Sequence, residues 1–311
     1  LITCVYELLD WRFISIPWLH IALIGTAVAF IIGFKNNATY DRMWEGRKIW
    51  GAIVNSSRIW GVMSRDFVTN AHATNVLPEE ELKKVHTTLI YRHIAWLTAL
   101  RHQLREQRGW EYMDRSYNQE YKKYFQVHEE EEDMQEELKK FLSKSDFDYI
   151  MSKQNKASQL LSLQSKHLKT LKDDGYIEDF RHMEMENVLG DLYVHQGKSE
   201  RIKNFPYPRQ FATLNLFFVW LFLILLPFGL VNEFDKLGNH LVWLTIPFST
   251  LVSWVFHTME KIGESTENPF QGGANDVPIS ALSRTIEIDL REMLDETDLP
   301  EPMKAVNNIL M

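Results

Sequence analysis

One cysteine, Cys4, stands in 311 residues, so an intrachain disulfide and a cysteine-rich zinc site are both excluded. No HExxH stretch occurs, and the eleven histidines are scattered, with no cysteine at ligand spacing. His86 and His93 could share a helix face, but packed or solvated histidines give the same arrangement; no metal and no cofactor is expected. Nucleic acid is not an expected partner, because no basic stripe outweighs the acidic runs and the formal net charge is −8. An alternating strand pattern of useful length is missing, and so is any internal repeat.

What the chain has instead is long uncharged runs. Phe13 to Phe34 spans twenty-two positions without a formal charge, and Phe211 to Val231 and Leu241 to Phe256 repeat the pattern near the other end. A hydrocarbon core needs about 20 apolar residues per spanning helix, so the lipid bilayer is an expected partner. The 24% of charged residues is an average over apolar ends and a densely charged stretch from 60 to 205. LITCVYELL at the start reads as the end of a further apolar segment, so one more span is expected before Leu1. A cleaved signal peptide is the competing account, without a small-residue cleavage pattern to support it.

Lysine and arginine mark cytoplasmic flanks. Lys35, Arg42, Arg47 and Lys48 follow the first run, and Lys198, Arg201, Lys203 and Arg209 precede the second. Only NEFDKLGNH separates the second run from the third, with Glu233 and Asp235 against Lys236; Lys261 follows the third. The middle of the chain is therefore expected inside and the short hairpin outside. The expected organisation is 1–34, the end of a preceding span plus a further span; 35–205, a helical cytosolic region; 206–260, a two-span hairpin; and 261–311, a cytosolic C-terminal segment.

The middle region reads as helical. Pro78 before Glu79, Glu80 and Glu81 signals a helix start, where acids complement the dipole. Leu82, Val85, Leu89, Ile94 and Leu97 follow at roughly helical spacing. A second amphipathic stretch is predicted from about Phe147 to Lys172, with Leu160, Leu161, Leu163, Leu168 and Leu171 on its apolar side. The acidic run from Glu129 to Glu137 offers little to a core and is expected to be a solvated helix or a mobile insertion.

Within the first run, Pro17 suits a first helical turn, and Gly25, Ala29 and Gly33 recur at i, i+4 and i+8. Small residues at that spacing let helix backbones approach closely in lipid. One position round lies a second stripe, Thr26, Phe30 and Phe34. Packing against a neighbouring helix would account for it. So would a constriction around an axis, of the kind that gates channels by dewetting. Three or four spans per chain do not easily enclose a pore, so the second account requires a symmetric ring of subunits.

Four separated motifs then carry a resemblance: GFKNNATYDRMWEGRKIWG, GKSERIKNFPYP before the second run, LLPFGLV at its end, and ENPFQGGANDVPISALSRTIEIDL after the third. In this order they resemble the bestrophin family, its bacterial branch more than its animal one, over roughly 15–60 and 175–294; the resemblance implies that the span within 1–34 lines the pore and that 105–150 is an insertion. The resemblance implies an all-α membrane protein, a homopentameric channel of four spans per subunit in a bacterial inner membrane, passing monovalent ions between identical subunits. It implies a narrow membrane neck, carried onto Thr26, Phe30 and Phe34, the stripe that helical spacing already picks out. A second, cytosolic aperture falls by spacing from GKSER on Phe180, which a core phenylalanine would also explain.

Two departures from the family pattern matter. Thr26 puts a hydroxyl where the family's neck is commonly hydrophobic. Calcium-activated animal members carry an acidic cluster after their NPFG, whereas here Asn268-Pro269-Phe270 is followed by QGGAND, with Asp276 as its one acid. Ca²⁺ takes six to eight oxygens, so no calcium clasp is expected; Asp276 is read as the cap of a helix from Val277 to Leu294.

An intramembrane enzyme would need a nucleophile–base or metal constellation at depth, and the runs hold only His20 and hydroxyls such as Ser249 and Ser253. A membrane-anchored scaffold gives no reason for phenyl rings beside a small-residue face. A channel is therefore expected. Phenyl edges carry partial positive charge and favour anions, chloride first; acids lining a vestibule would favour the alternative, a monovalent-cation (sodium) channel.

Overall fold

The computed structural model describes residues 1–311 apart from the side chain of Asn239. The helices in chain order are α1 (Ile2–Leu8), α2 (Trp18–Asp66), α3 (Glu79–Arg105), α4 (Ser116–Tyr121), α5 (His128–Glu131) and α6 (Met134–Phe141). After them come α7 (Lys144–Met151), α8 (Lys156–Asp173), α9 (Asp179–Asn204), α10 (Arg209–Asp235), α11 (Thr245–Ser265) and α12 (Ile279–Glu292). Among the described residues one isolated antiparallel bridge, Val306 to Ile309, stands in place of any strand. Two compact units divide the chain: 1–42 with 206–267, and 43–205 with 268–311.

Among the described residues three helical stretches are long and apolar enough to cross a membrane: Arg12–Asp66, Arg209–Asp235 and His240–Ser265. In the first unit, Ile21, Val28 and Ile32 of α2 pack on Val219, Phe222 and Leu226 of α10. This seam recurs at alternating steps of three and four, the ridge spacing of packed helices. Gly25 lies on it: a Cβ there would come 2.6 Å from the Phe222 ring. Gly229 of α10 meets Ile21 equally closely, and Gly263 of α11 faces Asn36. These last two close approaches carry no small-residue repeat and were not legible in the sequence.

The second unit is built on α3. Leu89, Ile90, Ile94, Trp96, Leu97 and Leu100 are buried among Leu160, Leu161 and Leu168 of α8, Leu189 and Leu192 of α9 and Ile286 and Leu290 of α12. The helix opens after Pro78 with Glu79–Glu81 in its first turn, as its sequence predicts. The amphipathic stretch predicted from Phe147 to Lys172 is two helices. Ser143 caps α7 through the Asp146 N–H at 3.2 Å, and Asn155 caps α8 through the Ser158 N–H at 2.9 Å. Each cap satisfies an amide that a new helix start leaves without an intrahelical partner, so leucine periodicity alone ran past the break.

The acidic run is not the solvated or mobile segment that its composition suggests. Glu129 bonds Arg101 at 2.5 Å and Ser280 at 2.5 Å, with its side chain about 1% exposed. Glu137 is buried in an ion pair with Arg101 and a 3.1 Å contact to His102. Two of the run's carboxylates thus face inward onto α3, and the remaining ones stay in solvent. Ion pairing holds Glu129 ionised, with a pKa below the ordinary carboxylate value, and Glu137 is pulled down to about 2 although burial opposes both.

Candidate functional site

Thr26, Phe30 and Phe34 lie on the side of α2 away from the seam with α10. All three are exposed, Phe30 at 68% and Phe34 at 62%. Their rings touch: the centroids are 4.6 Å apart and the planes stand at 89°, edge to face, the arrangement that the ring quadrupole favours. The Thr26 hydroxyl donates back to the Ala22 carbonyl at 2.9 Å, so its oxygen faces outward as an acceptor. Asn37 and Asp41 continue the same exposed face at the next helical steps. An apolar pair is thereby bracketed by polar groups along one helix side.

Of the small-residue face, only Gly25 makes its close approach within the chain. Ala29 is exposed, and a Cβ on Gly33 would meet nothing within 4 Å. The chain itself leaves these two positions uncovered.

Phe180 is the second residue of α9 and is 74% exposed. A phenyl ring so placed contributes little to the core of the second unit, which closes over Met185, Val188, Leu189 and Leu192 on the other side of α9. The core-phenylalanine account therefore fails for this chain.

Asp276 does not cap the following helix. That helix is Ile279–Glu292, flanked by Pro278 with no side-chain cap. The Asp276 carboxylate instead turns into the QGGAND loop, accepting the Gly272 N–H at 2.7 Å and lying 3.3 Å from Arg105. Gly272 adopts φ +97°, a left-handed conformation that glycine takes at no steric cost. Burial pushes Asp276 up to about 6, against the pull of Arg105 and the loop amides. The loop is held closed by a guanidinium, an arrangement not legible in sequence because Arg105 lies 171 positions away.

His93, one of the two histidines considered as a ligand pair, is buried between Trp60 and Trp96, with ring centroids 6.2 and 5.1 Å away. Its Nε2 pairs with Ser57 Oγ at 2.9 Å. His86 contacts the Val68 carbonyl at 2.9 Å. Both have protein partners, as packed histidines do.

With this geometry in place, the chain can be set beside known proteins. The family model for bacterial and fungal bestrophin proteins matches residues 1–292. The voltage-dependent anion channel-forming protein YneE of Salmonella typhi is 29% identical over 297 residues, covering 95% of this chain and 82% of that protein. The protein of the same name from Escherichia coli is 27% identical over 295 residues, with the same coverage. A crystal structure of a bacterial bestrophin homologue from Klebsiella pneumoniae superposes with a TM-score of 0.73 at 25% identity, over 94% of this chain and 92% of that one.

Proposed function

This chain belongs to the bacterial and fungal bestrophin family, and on that premise we propose that it forms a homopentameric channel for monovalent anions, chloride above all, in a bacterial inner membrane. Five copies of α2 surround the axis, each turning Thr26, Phe30 and Phe34 inward as the membrane neck. Rings of phenyl side chains narrow and dry the passage, so that its hydration controls conduction. Phe180 forms the second constriction, in the cytosolic part.

The observation that carries this reading is the exposed face of α2. Phenyl rings alone would suit a lipid-facing side. A face that runs from a threonine oxygen across two edge-to-face phenyl rings to Asn37 and Asp41 suits a passage that is dry in the middle and wet at both ends. The sign of the ion follows from the ring edges, which present partial positive charge, and from the relatives named as anion channel-forming proteins.

Planar-bilayer recording of the purified protein under a sodium chloride gradient tests the reading. Unitary currents reversing near the chloride equilibrium potential are expected. Reversal near the sodium potential would overturn the anion assignment. Native mass measurement in detergent should give five subunits; monomers or dimers alone would end the channel reading.

A further inference from the structure

Phe180 opens a stripe along α9. Stepping by four and three from it gives Glu184, Asn187, Asp191, Val194, Lys198 and Arg201, every one of them exposed. At 3.6 residues per turn, Asp191 and Lys198 fall within about 20° of Phe180 around the helix, and Glu184 within about 40°. Signs are segregated along it: acids in the first half, bases in the second. The helix dipole explains such an order only within the first and last turns, and Asp191 sits at the middle of a 26-residue helix. Among the described residues Glu184, Asp191 and Lys198 form no ion pair, while Arg201 is shared with Glu45 at 2.5 Å.

We infer that this stripe lines the cytosolic vestibule as two opposed charge bands, and that it sets anion throughput and makes the current depend on direction. This inference rests on the proposed placement of Phe180 on the pore axis. In a ring of five, Glu184 and Asp191 supply an acidic band behind the aperture and Lys198 a basic band about 10 Å further along, by a rise of about 1.5 Å per residue. The basic end is the one that leads, through residues 205–208, to the span beginning at Arg209. A Debye length is about 8 Å at physiological salt, so the two bands act as separate regions and do not cancel. Low-dielectric walls focus each field into the passage. Chloride accumulates at the basic band and is depleted at the acidic one. An ion therefore meets the two regions in opposite order from the two sides, and the pore rectifies.

The test is single-channel recording of Glu184→Gln/Asp191→Asn, Lys198→Gln and Phe180→Ala, each in symmetric and in graded sodium chloride. The acid-band double variant should raise chloride conductance by about twofold or more, and Lys198→Gln should lower it by a similar factor. The ratio of currents at equal and opposite voltages should move in opposite directions in the two. All three charged side chains are exposed, so the variants should assemble as the parent does. Unchanged conductance and rectification in both charge variants, with Phe180→Ala altering the current, would reduce the stripe to a solvated face and leave the aperture standing. Silence in all three would overturn the stripe and the aperture together. Opposed shifts from the charge variants with a silent Phe180→Ala would keep the stripe and the axial placement of α9, and would move the constriction from Phe180 to other residues.

Discussion

Lys35 of α2 and Glu260 of α11 form a buried ion pair, each side chain about 4% exposed. The second carboxylate oxygen of Glu260 accepts from Asn215 Nδ2 of α10 at 2.8 Å. One carboxylate thus ties together the three long helices of the first unit. Charge transferred out of water is costly unless it is paired and its remaining lone pairs are bonded, and here both conditions hold. Thr266 Oγ1 donates to Thr39 Oγ1 at 3.1 Å one turn further along, and the Arg42 side chain bonds the Glu267 carbonyl at 3.0 Å.

Removing one member of that pair should be worse than removing both. Glu260→Gln or Lys35→Met alone leaves a buried charge unpaired, at a cost on the order of 3–5 kcal/mol. The Lys35→Met/Glu260→Gln double variant should recover much of the loss. Thermal unfolding of the four proteins in one detergent gives the coupling; additive effects would show that the pair does not act as a unit.

Arg101 anchors the segment that follows α3, through Glu129 and Glu137. Arg101→Met should leave Glu137 with His102 and Glu129 with Ser280 and Arg105, loosening residues 106–143. Limited proteolysis should then cut within that stretch at least several-fold faster, with the cores of α8 and α9 still protected. An unchanged cleavage rate would mean that apolar contacts such as Leu138 suffice to hold it.

The legible parts of this protein are those written in short-range period. Uncharged runs gave the three spans, the four-residue step gave Thr26, Phe30 and Phe34 as one face, and Pro78 with three glutamates gave the start of α3. Pairs far apart in sequence were not legible. Lys35 reads as a flank charge, and nothing near it in sequence reveals its pairing with Glu260, 225 positions on. Glu129 looked like solvent for the same reason, its arginine lying on another helix. Asp276 precedes a helix and so resembles a cap, but one of its oxygens accepts from a loop amide and from Arg105. Gly25, Ala29 and Gly33 share one period, yet only Gly25 has a ring against it within the chain.

Acid should destabilise the second unit through His93. Burial lowers this imidazole to about 3 from an ordinary 6.5. The unfolded chain then binds more protons across that interval, so stability rises with pH through it and is lost as pH falls from 6.5 towards 3. The limiting slope is on the order of 1.4 kcal/mol per pH unit. Asp276 works in the opposite sense: it is raised to about 6, so stability falls as pH rises from about 4 to 6. The readout is therefore the difference between parent and His93→Gln, followed by fluorescence of the flanking Trp60 and Trp96. His93→Gln should have the flatter acid limb; parallel curves would remove His93 as the cause.

Replacing Phe30 and Phe34 should widen and wet the proposed neck. Phe30→Ala removes one ring of an edge-to-face pair and leaves Phe34 without its neighbour, so Phe34 also gains freedom. Conductance should rise by severalfold in either single variant and further in the double. Both rings are more than half exposed in the chain, so subunit folding should survive. Native mass measurement checks assembly, and unchanged currents in intact pentamers would return the pair to helix packing.

Phe180 offers the sharper test of ion choice, because it lies outside the membrane spans and carries little of its subunit's core. Its neighbours in sequence are Asp179 and Arg181, and its ring is 74% exposed; a lone chain in water has no hydrophobic reason to keep it there. Five rings meeting on an axis would shield one another and leave a narrow, poorly hydrated passage that sorts ions by size and dehydration cost. Phe180→Ala should relax discrimination among chloride, bromide and nitrate, seen as reversal potentials converging under bi-ionic conditions. Phe180→Glu places five carboxylates at the same ring and should shift the reversal potential towards that of sodium, as fixed charge in a narrow passage attracts its counter-ion. Melting temperature should change little in either variant, since the buried face of α9 is untouched. Should Phe180→Ala instead unfold the subunit, or both variants leave every reversal potential where it was, the constriction belongs to other residues.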